Sequence, residues 1–347
     1  MDFLRNRRNK FQNMEIWTSD CCPKTIDDII GNDEIKFILK KYLEANHMPD
    51  ILLTGNHGTC KRTFAKILVK SYLGDDFDRG CLSIDGAVSR GKDVISTSQT
   101  KKPSGDKQNT NGVNVLEFTK AKISLGNKKK VIIIYNFEDM TDEAQNALRR
   151  IMETHAKTTR FILICNNLDS IIEAIQSRCV PLQTCLLTIK ESKNLIQTLL
   201  ERKSLPNIPA EIISVINMLA DGDMKKIINY IQTISVVPSI TLDIFHKIFN
   251  VPSVKLLEQM LIETQRLETQ PKVLEKVTFL LEQGYNYSDI LEMLSKILAY
   301  SECIPEKYRM MYLEEMATYY SEMTLYTSSV HLYAMFSKFA DMYNADT

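Results

Sequence analysis

Five short apolar runs, ILLT (51–54), CLSI (81–84), VIIIY (131–135), FILIC (161–165) and the shorter VPLQ (180–183), are separated by stretches with helical spacing. Runs of four or five residues, rich in Ile and Leu and without polar alternation, are what strands covered on both faces look like. The alternation of such runs with amphipathic helices predicts an α/β fold with a parallel sheet wrapped on both sides. Ligands are then expected at the carboxyl ends of the strands.

From 190 onward the strand signal stops. KESKNLIQTLLERKS, AEIISVINMLADG and MKKIINYIQTISV carry apolar residues at helical spacing and predict a small helical domain ending near Asn250. Five more helical patterns follow, VKLLEQMLIETQRLE, PKVLEKVTFLLEQG, YSDILEMLSKILAY, EKYRMMYLEEMATYYSEM and VHLYAMFSKFADMY, and predict a third, all-α module. Its Met and Tyr stripe reads as core and subunit-contact surface. The expected division is a basic tail over 1–16, an α/β domain over 17–187 with a flexible polar insertion at 96–112 (STSQTKKPSGDKQNTNG), a helical lid over 188–250 and a helical collar over 251–347.

Composition removes several function classes. With 43 basic and 43 acidic residues the formal charge is +0, so contact with nucleic acid has to come from a local patch. No apolar run approaches the roughly 20 residues that span a bilayer, and MDFLRNRRNK is basic without the apolar core of a secretory signal. The 8 cysteines show no C-x-x-C pair, which argues against a zinc ribbon or a disulfide framework and for a reducing compartment. The basic opening RNRRNK reads as a solvated tail, with a nuclear address or a nucleic-acid arm as the rival readings.

The first strand run leads into GNHGTCKRT (55–63). A phosphate loop GxxxxGK[ST] turns successive backbone N–H groups onto the phosphates, extends its lysine to the terminal ones and offers a hydroxyl to magnesium. Gly55, Gly58, Lys61 and Thr63 suit that outline. Cys60 stands where the last glycine belongs, and its β-carbon penalises a left-handed backbone. Arg62 stands where the hydroxyl belongs and cannot ligate a metal. The strand VIIIY, whose end should carry a magnesium-binding carboxylate, offers Tyr135 and Asn136, with Glu138 and Asp139 farther on. The lysine run at 128–130 reads as a solvated turn.

The stretch EDMTDEAQNALRRIMET, followed by RFILICNN and IIEAIQSRC, resembles the small subunits of the sliding-clamp loader, the replication factor C family of AAA+ proteins. WTSDCCPKTIDDIIGNDEI resembles that family's W-x-x-K-Y-R-P-K-T-x-x-D-I-x-G, IDGAVSRGKDVI its N-A-S-D-x-R-G-x-x-x-I and DGDMKK its G-D-x-R. The resemblance runs in order from Trp17 to about Asn250, and the tail to Thr347 resembles the family only in length and helicity. It implies an AAA+ parallel-sheet module, a helical lid and an all-α collar.

The resemblance also implies roles. Gly55, Gly58, Lys61, Arg62, Thr63, Asn166 (first sensor) and Lys225 (second sensor) would face nucleotide. Arg178 of the SRC triplet would be the arginine finger given in trans to a neighbouring subunit, and Arg90 and Lys92 would touch DNA backbone. Tyr135 and Asn136 fall where the family has Asp-Glu, and Cys21 and Cys22 where it has Tyr-Arg. The departures gather at this chain's own nucleotide site while the finger stays, as in the family's catalytically silent fifth small subunit. The implied activity is a share in loading a clamp onto primed DNA, without hydrolysis by this chain alone. No cofactor is required: ATP or ADP would be weakly held, Mg2+ is doubtful and no resident metal is expected. The implied partners are the other subunits of a hetero-pentamer, a PCNA-like clamp and primer-template DNA, with no membrane. The implied location is nuclear, or a viral or parasite site of replication.

Other readings stand beside these. The chain could be an active ATPase in which Glu138 or Asp139 replaces the lost carboxylates, or a pseudo-ATPase scaffold of a checkpoint or cohesion complex. Arg178 could be a helix-end arginine paired with a carboxylate, Asn166 a turn former, Arg90 and Lys92 surface ion-pair partners, and Arg149 and Arg150 either solvated or subunit-facing.

Overall fold

The computed structural model describes residues 16–88, 90–91, 115–123, 125–237, 240–265, 269–300, 304–325 and 328–345. The basic tail up to residue 15, Lys92 and the 96–112 insertion lie outside the described residues. Two compact units divide the chain: the first runs over Met1–Asn207 and Ala220–Thr233, the second over Ile208–Leu219 and Ile234–Thr347.

In the first unit the strands are β1 (Ile51–Gly55), β2 (Cys81–Asp85), β3 (Lys130–Tyr135), β4 (Thr159–Ile164) and β5 (Val180–Thr184). They form one parallel sheet in the order β2-β3-β4-β1-β5. Each expected run is a strand. The helices are α1 (Trp17–Asp20), α2 (Asp33–Glu44), α3 (Lys61–Leu73), α4 (Phe77–Gly80), α5 (Val115–Lys120), α6 (Asp142–Thr154), α7 (Glu173–Gln176), α8 (Ile189–Arg202) and, past α9 (Ala210–Ala220), α10 (Met224–Ile234).

Alternate strand residues serve opposite faces. Ile51, Leu53, Val131, Ile133, Ile162 and Ile164 pack with Leu39 of α2 and Phe64 and Leu68 of α3, whereas Leu52, Ile132, Ile134, Phe161 and Leu163 pack with Leu148 and Met152 of α6. Full burial of one such side chain is worth about 1.5–3 kcal/mol. Two dry faces therefore explain why the central strands read as unbroken apolar runs.

The lysine run departs from its reading as a solvated turn. Lys130 is only 5% exposed, and its Nζ donates to the carbonyls of Phe118 (2.7 Å), Thr119 (2.6 Å) and Ala121 (2.9 Å) at the end of α5. Lys128 Nζ donates to the Leu73 carbonyl at the end of α3 (3.2 Å), and Lys129 N donates to the Tyr72 hydroxyl (3.1 Å). The orphan carbonyls of two helix ends are thus satisfied by cations, the partners a helix C-terminus favours.

The second unit contains α9, apart from Ala220, the last residue of α10, Ile234, and α11 (Leu242–Phe249), α12 (Val254–Glu263), α13 (Gln270–Glu282), α14 (Tyr287–Tyr300), α15 (Glu306–Leu325) and α16 (Val330–Ala345). All five helices expected beyond Asn250 are present. The Met and Tyr stripe divides: Tyr312, Met316, Met323 and Met335 are buried, Tyr312 stacking on Phe339 at 4.3 Å between ring centroids, while Met310 and Tyr320 are exposed. Among the described residues, no helix is long and apolar enough to cross a membrane.

Candidate nucleotide cleft and arginine edge

The carboxyl ends of β1, β3 and β4 and the start of α3 open onto a cleft of about 970 Å³, lined among others by Cys21, Cys22, Lys61, Asn136, Asn166 and Lys225. Thr63, Gly58 and Arg202 of α8 also line it. The cleft lies wholly within the first unit.

The loop from β1 to α3 is pinned at both sides. Thr59 Oγ1 donates to Asn56 O (2.8 Å) and meets Thr184 Oγ1 at 2.7 Å, and Thr184 Oγ1 donates to Thr54 O (2.9 Å). Two glycines are required by close approach. A β-carbon on Gly55 would lie 2.3 Å from Thr184 O, and one on Gly58 would lie 1.9 Å from Asp223 Oδ1. Asp223 in turn accepts from Lys225 N (2.7 Å) and Lys226 N (3.1 Å), so the start of α10 rests against the loop. Met224 N donates to Gly58 O (3.3 Å).

Cys60 adopts φ 63, the left-handed backbone that a glycine would take without strain. That backbone costs a residue with a β-carbon about 1–2 kcal/mol. The sulfur of Cys60 lies 3.1 Å from Met224 Sδ, and burial pushes its thiol up to about 11, so it is an uncharged packing group and not a nucleophile.

Lys61 begins α3, is 6% exposed, and donates from Nζ to the carbonyls of Gly55 (2.5 Å) and Asn56 (2.6 Å). Burial is the main cause that draws its ammonium below the ordinary lysine range. Arg62 points the other way, to the end of β3. Its Nη2 donates to Asn136 Oδ1 (2.9 Å), lies 3.9 Å from Asp85 Oδ2, and its guanidinium sits 5.1 Å from the centre of the Tyr135 ring. Asn136, itself left-handed at φ 48, donates from Nδ2 to Asp85 Oδ1 (2.9 Å), which also accepts from Ala87 N (3.1 Å). Arg62 is thus bonded to Asn136 and packed on Tyr135, whereas Cys60 packs on Met224.

Asn166, just past β4, donates to Glu138 Oε1 from Nδ2 (2.5 Å) and from its backbone N (3.2 Å). Glu138 Oε2 is buried without a partner, whereas Asp139 is exposed. Nucleotide would find backbone amides, Lys61, Asn166 and Lys225 here. Magnesium does not fit the groups present at the end of β3: Arg62 brings a cation there, and Tyr135 and Asn136 carry no carboxylate. Among the described residues, no three His, Cys, Asp or Glu side chains are grouped to hold a metal.

Arg178 does not line the cleft. It follows α7 and is half-exposed; Nη1 donates to Ala174 O (3.0 Å), and Nη2 pairs with Glu153 near the end of α6. Glu153 also lies 3.8 Å from Arg149 Nε. Gln145 of α6, fully buried, donates to Met140 O (3.2 Å) and Ser170 O (2.9 Å) and accepts from Ile172 N (2.9 Å), which fixes the segment leading to Arg178. Arg90 is exposed, with Nε donating to Ala87 O (3.1 Å).

Sequence reasoning missed Asp85 and Arg202. A carboxylate closing a strand, as in CLSID, was the available signal for Asp85; Arg202 sits on an ordinary amphipathic helix and gave none.

A family model described as "DNA polymerase III, delta subunit" matches residues 31–187. The chain is 31% identical over 290 residues to the replication factor C small subunit of Sulfolobus acidocaldarius, covering 83% of each chain. It is 30% identical over 246 residues to that of Staphylothermus marinus (71% of this chain, 70% of the relative) and 31% over 279 residues to replication factor C subunit 4 of Encephalitozoon cuniculi (80% and 84%). Among solved structures it is similar to the Thermotoga maritima RuvB Holliday junction branch migration motor, with a TM-score of 0.51, 17% identity, and coverage of 69% of this chain and 78% of that one. That likeness is one of fold.

Proposed function

The chain belongs to the replication factor C small-subunit family, and from that premise we propose that it is the catalytically silent subunit of a clamp loader, donating Arg178 to a neighbour's ATP site. The observation that carries this reading is the bonding of Arg62 to Asn136 at 2.9 Å, beside the Tyr135 ring. Those three residues occupy the places of the metal-ligating hydroxyl and the two carboxylates. Without them the cleft has no metal site, and the strand end has no base to orient water. Arg178, away from the cleft and half-exposed, is free of any role in its own site.

The work of such a subunit is structural and in trans. It would join a ring of about five subunits through its all-α part, contact a sliding clamp, and grip primer-template DNA through backbone contacts that include Arg90 and Lys92. Nuclear replication is the setting this implies. The division into 17–187, 188–250 and 251–347 belongs to the same proposal, and limited proteolysis of the full chain would check it.

The deciding experiment is reconstitution. The full chain, purified alone, shows no ATP turnover with or without primed DNA; combined with the other small subunits it co-purifies, and the ring hydrolyses ATP. Failure to co-purify would favour a scaffold role in another assembly. One observation favours a second reading, the active ATPase: Glu138 keeps a buried, unpartnered carboxylate oxygen beside Asn166. Magnesium-dependent turnover by the isolated chain that Glu138→Gln and Lys61→Ala both abolish would establish it.

A further inference from the structure

The substitutions in the cleft are consistent with one another in charge as well as in contact. In a magnesium-dependent site two carboxylates face the phosphates only because a divalent cation lies between them; remove the cation and the carboxylates repel the ligand. Here the strand end carries Tyr135 and Asn136, both neutral, and a fixed cation, Arg62, is held there instead. Asn136 contributes a carbonyl oxygen and Tyr135 a ring face, contacts that orient a guanidinium without neutralising it. Asp85 reaches Arg62 only through Oδ2 at 3.9 Å, a long pair weakened by solvent because Arg62 is more than half-exposed, while its Oδ1 accepts from Asn136 Nδ2 and Ala87 N. Arg62 is more than half-exposed, so its remaining N–H groups face the solvent-filled cleft beside Lys61 and Lys66.

We infer that Arg62 takes the place of magnesium, so that this cleft binds a nucleoside polyphosphate without a divalent cation. The inference deepens the silent-site reading and rests on it. A planar guanidinium offers paired N–H donors to two phosphate oxygens, a fit that an aquated metal supplies differently and an ammonium does not supply at all. It carries one charge where magnesium carries two, which suits a ligand held for its shape and not activated for transfer. The strained backbone at Cys60 belongs to the same picture: the loop keeps the conformation that turns amides inward at a cost of about 1–2 kcal/mol.

The test is calorimetric titration of ADP, and separately of ATP, into the full chain, with chelator and with millimolar magnesium. For the tighter nucleotide, the wild-type affinity should differ by less than about threefold between the two conditions, well under one tenfold step. Arg62→Ala should weaken binding in chelator roughly ten- to a hundredfold, the value of one hydrogen bond to a charged group. Arg62→Lys, which keeps the charge and loses the fork, should fall between. The triple change Arg62→Thr, Tyr135→Asp and Asn136→Glu should convert the site to one that magnesium tightens by about tenfold or more. Circular dichroism confirms that each variant is folded, and the exposed Arg62 variants suffice if the triple variant is not. A wild-type affinity that rises tenfold with magnesium, unchanged binding by Arg62→Ala, or no binding of either nucleotide overturns the inference. The last outcome leaves the finger-donating, silent subunit intact; magnesium-dependent turnover of ATP by the chain alone removes both.

Discussion

The nucleotide cleft and the edge that carries Arg178 both belong to the first unit, yet their charged groups are partnered in different ways. At the cleft, Arg62, Asn136 and Asp85 are linked to one another beside the Tyr135 ring, whose hydroxyl is buried without a partner, and Lys61 is turned onto its own loop carbonyls. At the edge, Arg178 and Arg149 share one carboxylate, Glu153, and Arg178 keeps part of its surface in water. The first arrangement is a linked cluster that holds Arg62 by one oxygen and a ring face and leaves the rest of its guanidinium in the cleft. The second is open, because a half-exposed ion pair is worth only about 0–1 kcal/mol and is readily exchanged for a stronger partner. The contrast separates a cation held within a linked cluster from one whose carboxylate partner is shared.

The largest expected effect falls at the edge. In a reconstituted ring, Arg178→Ala should lower hydrolysis at the one neighbouring site by about 10³–10⁵, diluted in the bulk rate by the other sites, and Arg178→Lys should rescue it poorly. Thermal stability of the isolated chain should change by no more than about 1 kcal/mol. Wild-type rates with Arg178→Ala would make the two regions alike, both emptied of chemistry.

A smaller effect separates the two buried lysines of the first unit. Lys130→Met leaves carbonyls of Phe118, Thr119 and Ala121 without a donor and should cost about 2–3 kcal/mol in chemical denaturation. Lys61→Met removes bonds to only two loop carbonyls beside a wet cleft, so water can replace them, and should cost about 1 kcal/mol or less. Equal losses would mean that Lys61 is retained for the loop and not for a ligand.

Cys60→Gly probes the cleft with the gentlest change. Relief of the left-handed backbone, about 1–2 kcal/mol, is offset by the lost sulfur contact with Met224 and by the added freedom of glycine in the unfolded chain. A net gain of up to about 0.5 kcal/mol is expected, read as a small rise in denaturation midpoint; a loss above about 1 kcal/mol would show that the sulfur contact is the stronger term.

The smallest expected effect lies outside both regions and serves as their control. Burial, chiefly, draws His246 of α11 below the ordinary histidine value, while its Nδ1 lies 3.1 Å from Val251 O. A group whose folded value is depressed adds stability above its unfolded value and loses it as the pH falls past the folded one. Stability of the second unit should therefore decline as the pH drops below about 6.5, and His246→Gln should flatten that slope while leaving Arg178-dependent hydrolysis unchanged.

Much of this was legible in the sequence, for reasons that differ by element. The strands were readable because β1, β3 and β4 are buried on both faces, which leaves no polar residue to interrupt the run. The loop's departures were readable because GNHGTCKRT fixes each position by spacing, and Cys60 takes the left-handed backbone that the missing glycine implied. What Arg62 does was not readable: Asn136 and Asp85 lie 74 and 23 residues away and reach it only through the register that sets Asp85 beside Tyr135. Lys130 was misread because a lysine beside a strand is normally solvated, and only the return of α5 supplies carbonyls to bury it. The helix α11 went unremarked among the patterns because its eight residues give barely two turns of periodicity.

The sheet's parallel register has a consequence for how such a chain can change over generations. All five strands finish on one rim, so Arg62 and Asn136 stand outside the two packed layers, with Tyr135 and Cys60 at their margin. Exchanges on that rim, such as a carboxylate for Asn136 or a hydroxyl for Arg62, alter what the molecule can catalyse while the body beneath keeps its outline. A ring recognises outlines. On the silent-subunit proposal, the rim would lose a reaction and the subunit still keep its seat.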